Sequence, residues 1–280
     1  MIQLRKLFTP VESLDAPAAR AFMAARPEGS YTILDVRQPG EYEAEHLPGA
    51  RLIPLPELNS SLDQLDSHQP TMVYCAIGGR SRVAAQLLAG QGFKEVYNLR
   101  GGIKAWQGAK AAGPQELNLD LVRGDEGPGE VIVLAYGMER SLQIFYLDLG
   151  EKAQDQQVAG LFNKLAGVEE HHLQMLLELE KNIDPALDLP ALAAKRSPGI
   201  LEGGFEVKEL IRKNEPHLET VTGVLEMAMM LETQALDLYL RFAGKLAGKD
   251  AKETLFQIAA EEKAHLAALG RLLEEKTGGP

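Results

Sequence analysis

Six side chains of metal-ligand type recur in this chain at one fixed offset. Adding 93 to Glu139, Glu169 and His172 gives Glu232, Glu262 and His265, and the same offset carries Tyr146 to Tyr239. Each half reads alanine, three residues, glutamate, then tyrosine seven further on (Ala135, Glu139, Tyr146; Ala228, Glu232, Tyr239). An Ala-x-x-Glu-x-x-His run follows in each (Ala166, Glu169, His172; Ala259, Glu262, His265), its glutamate 30 residues after the first. Glutamate and histidine three apart share a helix face and can point at one ion. Four helices then deliver four carboxylates and two imidazoles, the donor set with which a bundle holds two iron or manganese ions. His171 is set aside, because its counterpart is Ala264 and a two-residue spacing from Glu169 turns it to another face. Tyr146 and Tyr239 lie two turns beyond their glutamates, where each could hydrogen-bond a ligand or simply fill the core.

A second chemical candidate is the single cysteine. Cys75 ends the apolar run TMVYC (71–75) and opens the segment CAIGGRS, after which SRVAAQLLAGQGF reads as a helix closed by Gly90 or Gly92. A thiol between a strand end and a helix start meets converging backbone N–H groups and the positive end of the helix dipole, which favour the thiolate. Gly78 and Gly79 let such a loop curl at low steric cost. One cysteine also excludes an internal disulfide and a four-cysteine rubredoxin centre.

The elements that must carry these groups divide the chain. YTILDV (31–36), TMVYC and EVYNL (95–99) read as buried strands of a parallel sheet, with helices over 17–25 and 81–91 as crossovers, so the first part is α/β. Sites in such sheets lie at the carboxyl ends of strands, where Cys75 falls. In the second part Glu139 interrupts VIVLAYGMERSLQIFYL and Glu232 interrupts VLEMAMMLETQALDLYL, apolar helices in which a buried carboxylate needs a compensating cation. The long interruption at 181–216 suits the crossover of an all-α four-helix bundle, with short turns near Gly150 and Gly248 closing its two hairpins. The expected organisation is 1–108 as the α/β domain, 109–129 as a Gly-rich linker, and 130–280 as the bundle.

Charge follows the same division. Of the 280 residues, 1–108 hold 11 basic and 11 acidic side chains and 109–280 hold 18 and 29, so the net −11 belongs to the second part. No basic patch suits nucleic acid, and no apolar run suits export or a membrane span; a cytoplasmic location with no membrane or nucleic-acid partner is expected.

Residues 130–273 resemble the rubrerythrin branch of the ferritin-like di-iron proteins, on the paired motifs given above. The resemblance implies two iron ions, or manganese or a mixed pair, held by Glu139, Glu169, His172, Glu232, Glu262 and His265, and association as a homodimer. Two features depart from it: the rubredoxin electron-transfer centre is missing, so an external electron donor is implied for redox work, and Ala235 stands where an extra glutamate is expected. Peroxide reduction of the rubrerythrin type is thereby put in doubt.

Residues 8–108 resemble the rhodanese sulfurtransferases. The matching segments, in the family's order, are Leu34-Asp35-Val36-Arg37, Glu41-Tyr42, His46-Leu47-Pro48-Gly49-Ala50, the loop 75–81, and Leu99-Arg100-Gly101-Gly102-Ile103 followed by Ala105-Trp106. The resemblance implies that Cys75 accepts a sulfane sulfur as a persulfide and passes it to a thiol or cyanide-type acceptor. Arg80 would hold an anionic donor such as thiosulfate, and the amides of Ala76, Ile77, Gly78, Gly79 and Ser81 would cradle the terminal sulfur. Asp35 and Arg37 are read as contacts that fix loops, His46 as loop packing and Trp106 as packing for the terminal helix. The expected function is a sulfurtransferase fused to a di-iron domain that acts on peroxide, O2 or a sulfur species. The alternative is a persulfide carrier fused to a bundle that binds metal or senses its redox state without turnover.

Overall fold

The computed structural model describes residues 10–184, 187–196, 200–206, 210–212 and 217–277. The amino-terminal residues 1–9 and parts of the 181–216 crossover, read above from sequence, lie outside the described residues. The chain forms two compact units, divided between Leu117 and Asn118.

The first unit is a five-stranded, all-parallel sheet in the order β1-β5-β4-β2-β3, with β1 Glu12–Leu14, β2 Thr32–Asp35, β3 Arg51–Leu52, β4 Thr71–Tyr74 and β5 Val96–Leu99. The central strand β4 is buried along its whole length. Apolar side chains on both faces are what a sheet covered on both sides requires. The three expected strands are all present. The two edge strands, three and two residues long, carry too little apolar periodicity to be read from sequence.

Helices α1 (Ala16–Ala24), α2 (Pro39–Ala44), α3 (Gly79–Gly90) and α4 (Gly102–Ala105) complete this unit. Asp15 caps α1, its side chain accepting from Ala18 N at 3.0 Å, while Pro17 sits in the first turn. Gly92, at φ +97°, takes the left-handed conformation just beyond α3. Asp35 and Arg37 form a buried ion pair at 2.7 Å, and Arg37 Nη2 also donates to Glu45 O. His46 stacks on Tyr42 at 3.7 Å, and Trp106 is buried, donating through Nε1 to Ala109 O.

The second unit contains four long helices: α5 Pro128–Lys152, α6 Gln156–Ile183, α8 Val221–Lys245 and α9 Lys249–Thr277. Pro128 opens α5, Asp155 caps α6 through the amides of Gln157 and Val158, and Thr220 caps α8 through Gly223 N. Helices α5 and α6 pair as one hairpin and α8 and α9 as the other, while α5 also packs on α9 and α6 on α8. The crossover carries a further helix, α7 (Leu189–Arg196), which packs on α5.

The stretch 109–129, read as a linker, is tied down at both ends. Ala111 pairs with His46, Gly113 N donates to Glu43 O (2.8 Å), and Gln115 Oε1 accepts from Leu52 N (2.7 Å). Beyond the boundary, Lys245 Nζ donates to Leu119 O (2.7 Å) and Ala247 N to Gly124 O (3.0 Å). Its glycines and polar residues supply turns and hydrogen bonds to the unit on each side. Among the described residues no helix is long and apolar enough to cross a membrane.

Candidate functional site

The Cys75 loop begins where β4 ends, in the middle of the sheet. Its sulfur is buried, yet it accepts from Gly78 N at 3.2 Å and from Ser81 Oγ at 3.4 Å. Burial by itself raises the thiol pKa. The Ser81 hydroxyl and the amides of Ser81, Ile77 and Gly78 outweigh it and hold the thiol below its ordinary value. The single Ser81 hydroxyl proton is shared between Cys75 Sγ and Asn98 Oδ1, 2.7 Å away, and Asn98 Nδ2 donates to Ser13 Oγ.

The curl of the loop rests on two glycines. Gly78 sits at φ +94°, and a Cβ there would meet Gly101 N at 3.1 Å. Gly102 has φ +59°, and a Cβ would fall 2.2 Å from Cys75 O. That close approach lets Ile103 N donate to Cys75 O (2.9 Å) and Lys104 N to Ala76 O (3.1 Å), so the start of α4 clamps the loop from behind. Gly79 has open space around its Cα.

Arg80 stands in the first turn of α3 and makes a two-pronged contact with Glu41 of α2: Nη1 donates to Oε2 at 2.7 Å and Nη2 to Oε1 at 2.6 Å. Sequence reasoning did not assign Glu41 or Asn98 to the site. A signal for Glu41 existed in its spacing from Gln38, whose N–H its carboxylate accepts at 3.1 Å as a helix-start cap. Asn98 offered none, being one polar residue in an apolar strand.

In the second unit the six repeated ligands fall in one layer. Along α5 the residues from Val131 to Met138 belong to one apolar cluster and those from Leu142 to Leu149 to another, with Glu139 between them. The same alternation brackets Glu169 and His172 on α6, Glu232 on α8, and Glu262 and His265 on α9. Tyr146 and Tyr239 are fully buried, one in each cluster, so they lie on opposite sides of the polar layer. Ala235 is also fully buried.

Each half of the repeat closes on itself. His172 Nδ1 lies 3.0 Å from Glu139 Oε2 and 3.2 Å from Glu169 Oε2. His265 Nδ1 lies 3.6 Å from Glu262 Oε2 and 3.8 Å from Glu232 Oε2. The two imidazoles stack at 3.7 Å with their Nε2 atoms 2.6 Å apart. Burial opposes protonation of His172, but hydrogen bonds to Glu139 and Glu169 outweigh it and raise its pKa to about 11. His265 is pushed down to about 3 by burial and by the neighbouring His172 charge. His171 is exposed and turned to Gly167 O.

The donor set fits a pair of metal ions. Ligand atoms of Glu139, Glu169 and His172, and likewise of His172, Glu262 and His265, lie within 4.8 Å of one another; Glu232 stands beside the second group. Four carboxylates, all at most 2% exposed, face two imidazoles of which His172 favours the cationic form and His265 the neutral one. Two divalent cations would balance that buried charge and displace the proton from His172.

Comparison with known proteins agrees with both halves. The family model for a rhodanese-like domain matches residues 18–109 and that for a ferritin-like domain matches residues 107–275. YqhL, an uncharacterised protein of Bacillus subtilis, is 43% identical over 76 residues, covering 27% of this chain and 60% of YqhL. The candidate sulfur carrier YrkF of the same organism is 40% identical over 79 residues, covering 28% of this chain and 43% of YrkF. The chain thus spans under two thirds of the length of these two relatives. Among solved structures, the Alr3790 protein from Anabaena is 30% identical, with 36% of this chain and 80% of that one covered at a TM-score of 0.34.

Proposed function

The chain belongs to the ferritin-like domain family and carries a rhodanese-like domain ahead of it, and from that premise we propose that it is a sulfurtransferase joined to a di-iron oxidoreductase domain. The observation that carries the first half is the pair of hydrogen bonds from Gly78 N and Ser81 Oγ to Cys75 Sγ. A thiolate held by fixed donors is a nucleophile at neutral pH.

In the first half-reaction the Cys75 thiolate attacks the outer sulfur of a sulfane donor. With thiosulfate, the Cys75 S–S bond forms as the donor S–S bond breaks, and sulfite leaves with the bonding pair. The loop amides then solvate the new terminal sulfur in place of the old one. An acceptor thiolate attacks that terminal sulfur, takes it as its own persulfide, and returns Cys75 as thiolate. No proton need be removed from Cys75 at either step, which leaves His46 and the Asp35–Arg37 pair to hold the loops.

In the bundle, Glu139, Glu169 and His172 would hold one ion, and Glu232, Glu262 and His265 the other. Such a pair, when bound, supplies electrons and open coordination positions for an oxidant. The residues themselves supply a dry layer: the apolar clusters on either side keep water from the ligands. With one cysteine the sequence given holds no four-cysteine centre, and an external donor would supply electrons for redox work.

The test joins the two halves. Incubation with a sulfane donor should add the mass of one sulfur to the wild-type chain and none to Cys75→Ser, while anaerobic iron loading should give two irons per chain that a Glu139→Ala, Glu232→Ala variant cannot hold. A chain that takes up neither sulfur nor iron would overturn the reading. A second reading, a persulfide carrier that loads a partner protein, draws on the likeness to YrkF and on Ile77, 67% exposed beside Cys75. Fast persulfide formation with negligible turnover to cyanide would favour it.

A further inference from the structure

The mechanism above assigns no role to Asn98, a polar residue buried in β5 and bonded to Ser81 of the Cys75 loop. We infer that Asn98 is a positioning residue for sulfur loading: it competes with Cys75 for the one Ser81 hydroxyl proton, yielding it to the thiolate and taking it back as the persulfide forms. The inference rests on the sulfurtransferase reading of Cys75.

A serine hydroxyl has one proton to give. Two acceptors stand within reach of Ser81 Oγ, Asn98 Oδ1 at 2.7 Å and Cys75 Sγ at 3.4 Å, so the proton can turn from one to the other while the heavy atoms stay in place. All three residues are at most 4% exposed, which keeps bulk water from serving as a third acceptor. Asn98 cannot follow the hydroxyl, because β5 is paired on both sides, at Ser13 of β1 and Val73 of β4, and its Nδ2 donates to Ser13 Oγ at 3.1 Å. Of the charged groups on the surrounding elements, Arg80 of α3 also bonds Cys75 and is paired with Glu41 of α2. Asp35 pairs with Arg37 after β2 and Asp15 with Arg100 after β5, while Arg82 of α3 and Lys104 of α4 are exposed. A substitution at Asn98 leaves all of these in place, so their influence on Cys75 cancels between the proteins compared below.

The exchange matters because loading takes charge away from Sγ. The Cys75 thiolate attacks the outer sulfur of the donor, the new S–S bond forms as the donor's breaks, and the leaving group departs with the bonding pair. Negative charge then sits on the terminal sulfur, and Sγ becomes a weak acceptor inside the new S–S bond. Ser81 now donates to Asn98, where without that oxygen its buried hydroxyl would lose its partner. On unloading, the acceptor thiolate takes the terminal sulfur, Cys75 leaves as thiolate, and the proton turns back. Asn98 thus favours the loaded state and the Ser81 hydroxyl the empty one.

The full chain, Asn98→Leu, Ser81→Ala and the double variant form a cycle, read first by the pH profile of iodoacetamide alkylation at Cys75. Without its competitor the hydroxyl serves Sγ alone, so Asn98→Leu should move the profile to lower pH by about 0.7 unit, the equivalent of one net hydrogen bond. In the Ser81→Ala background the same change should move nothing. The second readout is the persulfide-to-thiolate ratio by mass spectrometry, in thiosulfate and sulfite at a fixed ratio and at a pH above the thiol pKa of all four proteins. It should fall about fivefold with Asn98→Leu and hold steady in the Ser81→Ala background. An unmoved profile, an equal shift in both backgrounds or an undiminished persulfide ratio overturns the inference and makes Asn98 a prop of its strand. A shift to higher pH overturns it too, since the Asn98 amide would then be donating to Ser81. Asn98→Val, β-branched as a buried strand prefers, replaces leucine if that variant does not fold. If the wild-type chain takes up no sulfur, the sulfurtransferase reading fails, and the alkylation cycle still decides which acceptor holds the Ser81 proton.

Discussion

The two candidate sites handle buried charge in opposite ways. The Cys75 site surrounds one thiol with backbone amides and a hydroxyl drawn from seven consecutive residues, 75–81, which favour its ionised form. The bundle site gathers four carboxylates and two imidazoles from four helices across residues 139–265. Dipoles of fixed backbone can hold a single anion and still leave it reactive. Carboxylates gathered in one layer repel one another, and the His172 imidazolium offsets this only in part. The donors around Cys75 all come from the polypeptide, whereas the carboxylate and imidazole layer is suited to hold metal.

Breaking each site separately sharpens that contrast. The largest effect is expected for Cys75→Ser, which should abolish sulfur uptake by mass spectrometry and leave iron at two per chain. Next, Glu139→Ala with Glu232→Ala should take the iron content from two per chain to near zero and leave sulfur-transfer rates within about twofold, since the two units fold around separate cores. Calorimetry should show the same independence: iron at a thousandfold above its dissociation constant should stabilise the bundle transition by about 4 kcal/mol and leave the sheet transition unmoved.

Smaller effects probe the backbone clamp. Gly102→Ala places a Cβ against Cys75 O at a positive φ, which should cost about 1–3 kcal/mol of stability in denaturant titration. The same change should slow sulfur transfer by about tenfold, because a loop shift of a few tenths of an ångström misaligns the amides. A rise in rate would show that the clamp restrains the loop unproductively.

The smallest change is expected in a pH profile. The wild-type thiol lies below its ordinary pKa, so sulfur transfer should persist as pH falls below that value and decline only through the lowered one. Ser81→Ala removes one donor to the thiolate and should move the profile to higher pH by less than about one unit. A shift to lower pH would mean that burial, not hydrogen bonding, controls Cys75.

Most of the fold is legible in the sequence. Buried strands of four residues with apolar side chains on both faces announce themselves, as do 25- to 29-residue helices broken by a repeated Glu and His. The short edge strands β1 and β3 and the helix α7 within the crossover were not read, because their stability comes from neighbours and not from their own pattern. The stretch 109–129 looked slack for a related reason: glycine and polar residues read alike whether they make a tether or a set of anchored turns.

Sequence by itself singled out the residues whose types and spacing suit chemistry in both units. The offset of 93 selects six candidate ligands and sets His171 aside, and the strand-to-helix position of Cys75 favours a thiolate, since helical and strand periodicities are local and fix the face each side chain takes. Tertiary structure alone decided how those groups meet. Glu41 of α2 reaches Arg80 of α3, Asn98 of β5 steadies Ser81, and Gly102 of α4 lies against the Cys75 carbonyl. These contacts join segments far apart in the chain, and their geometry follows from sheet order and helix packing, which no spacing along the sequence encodes.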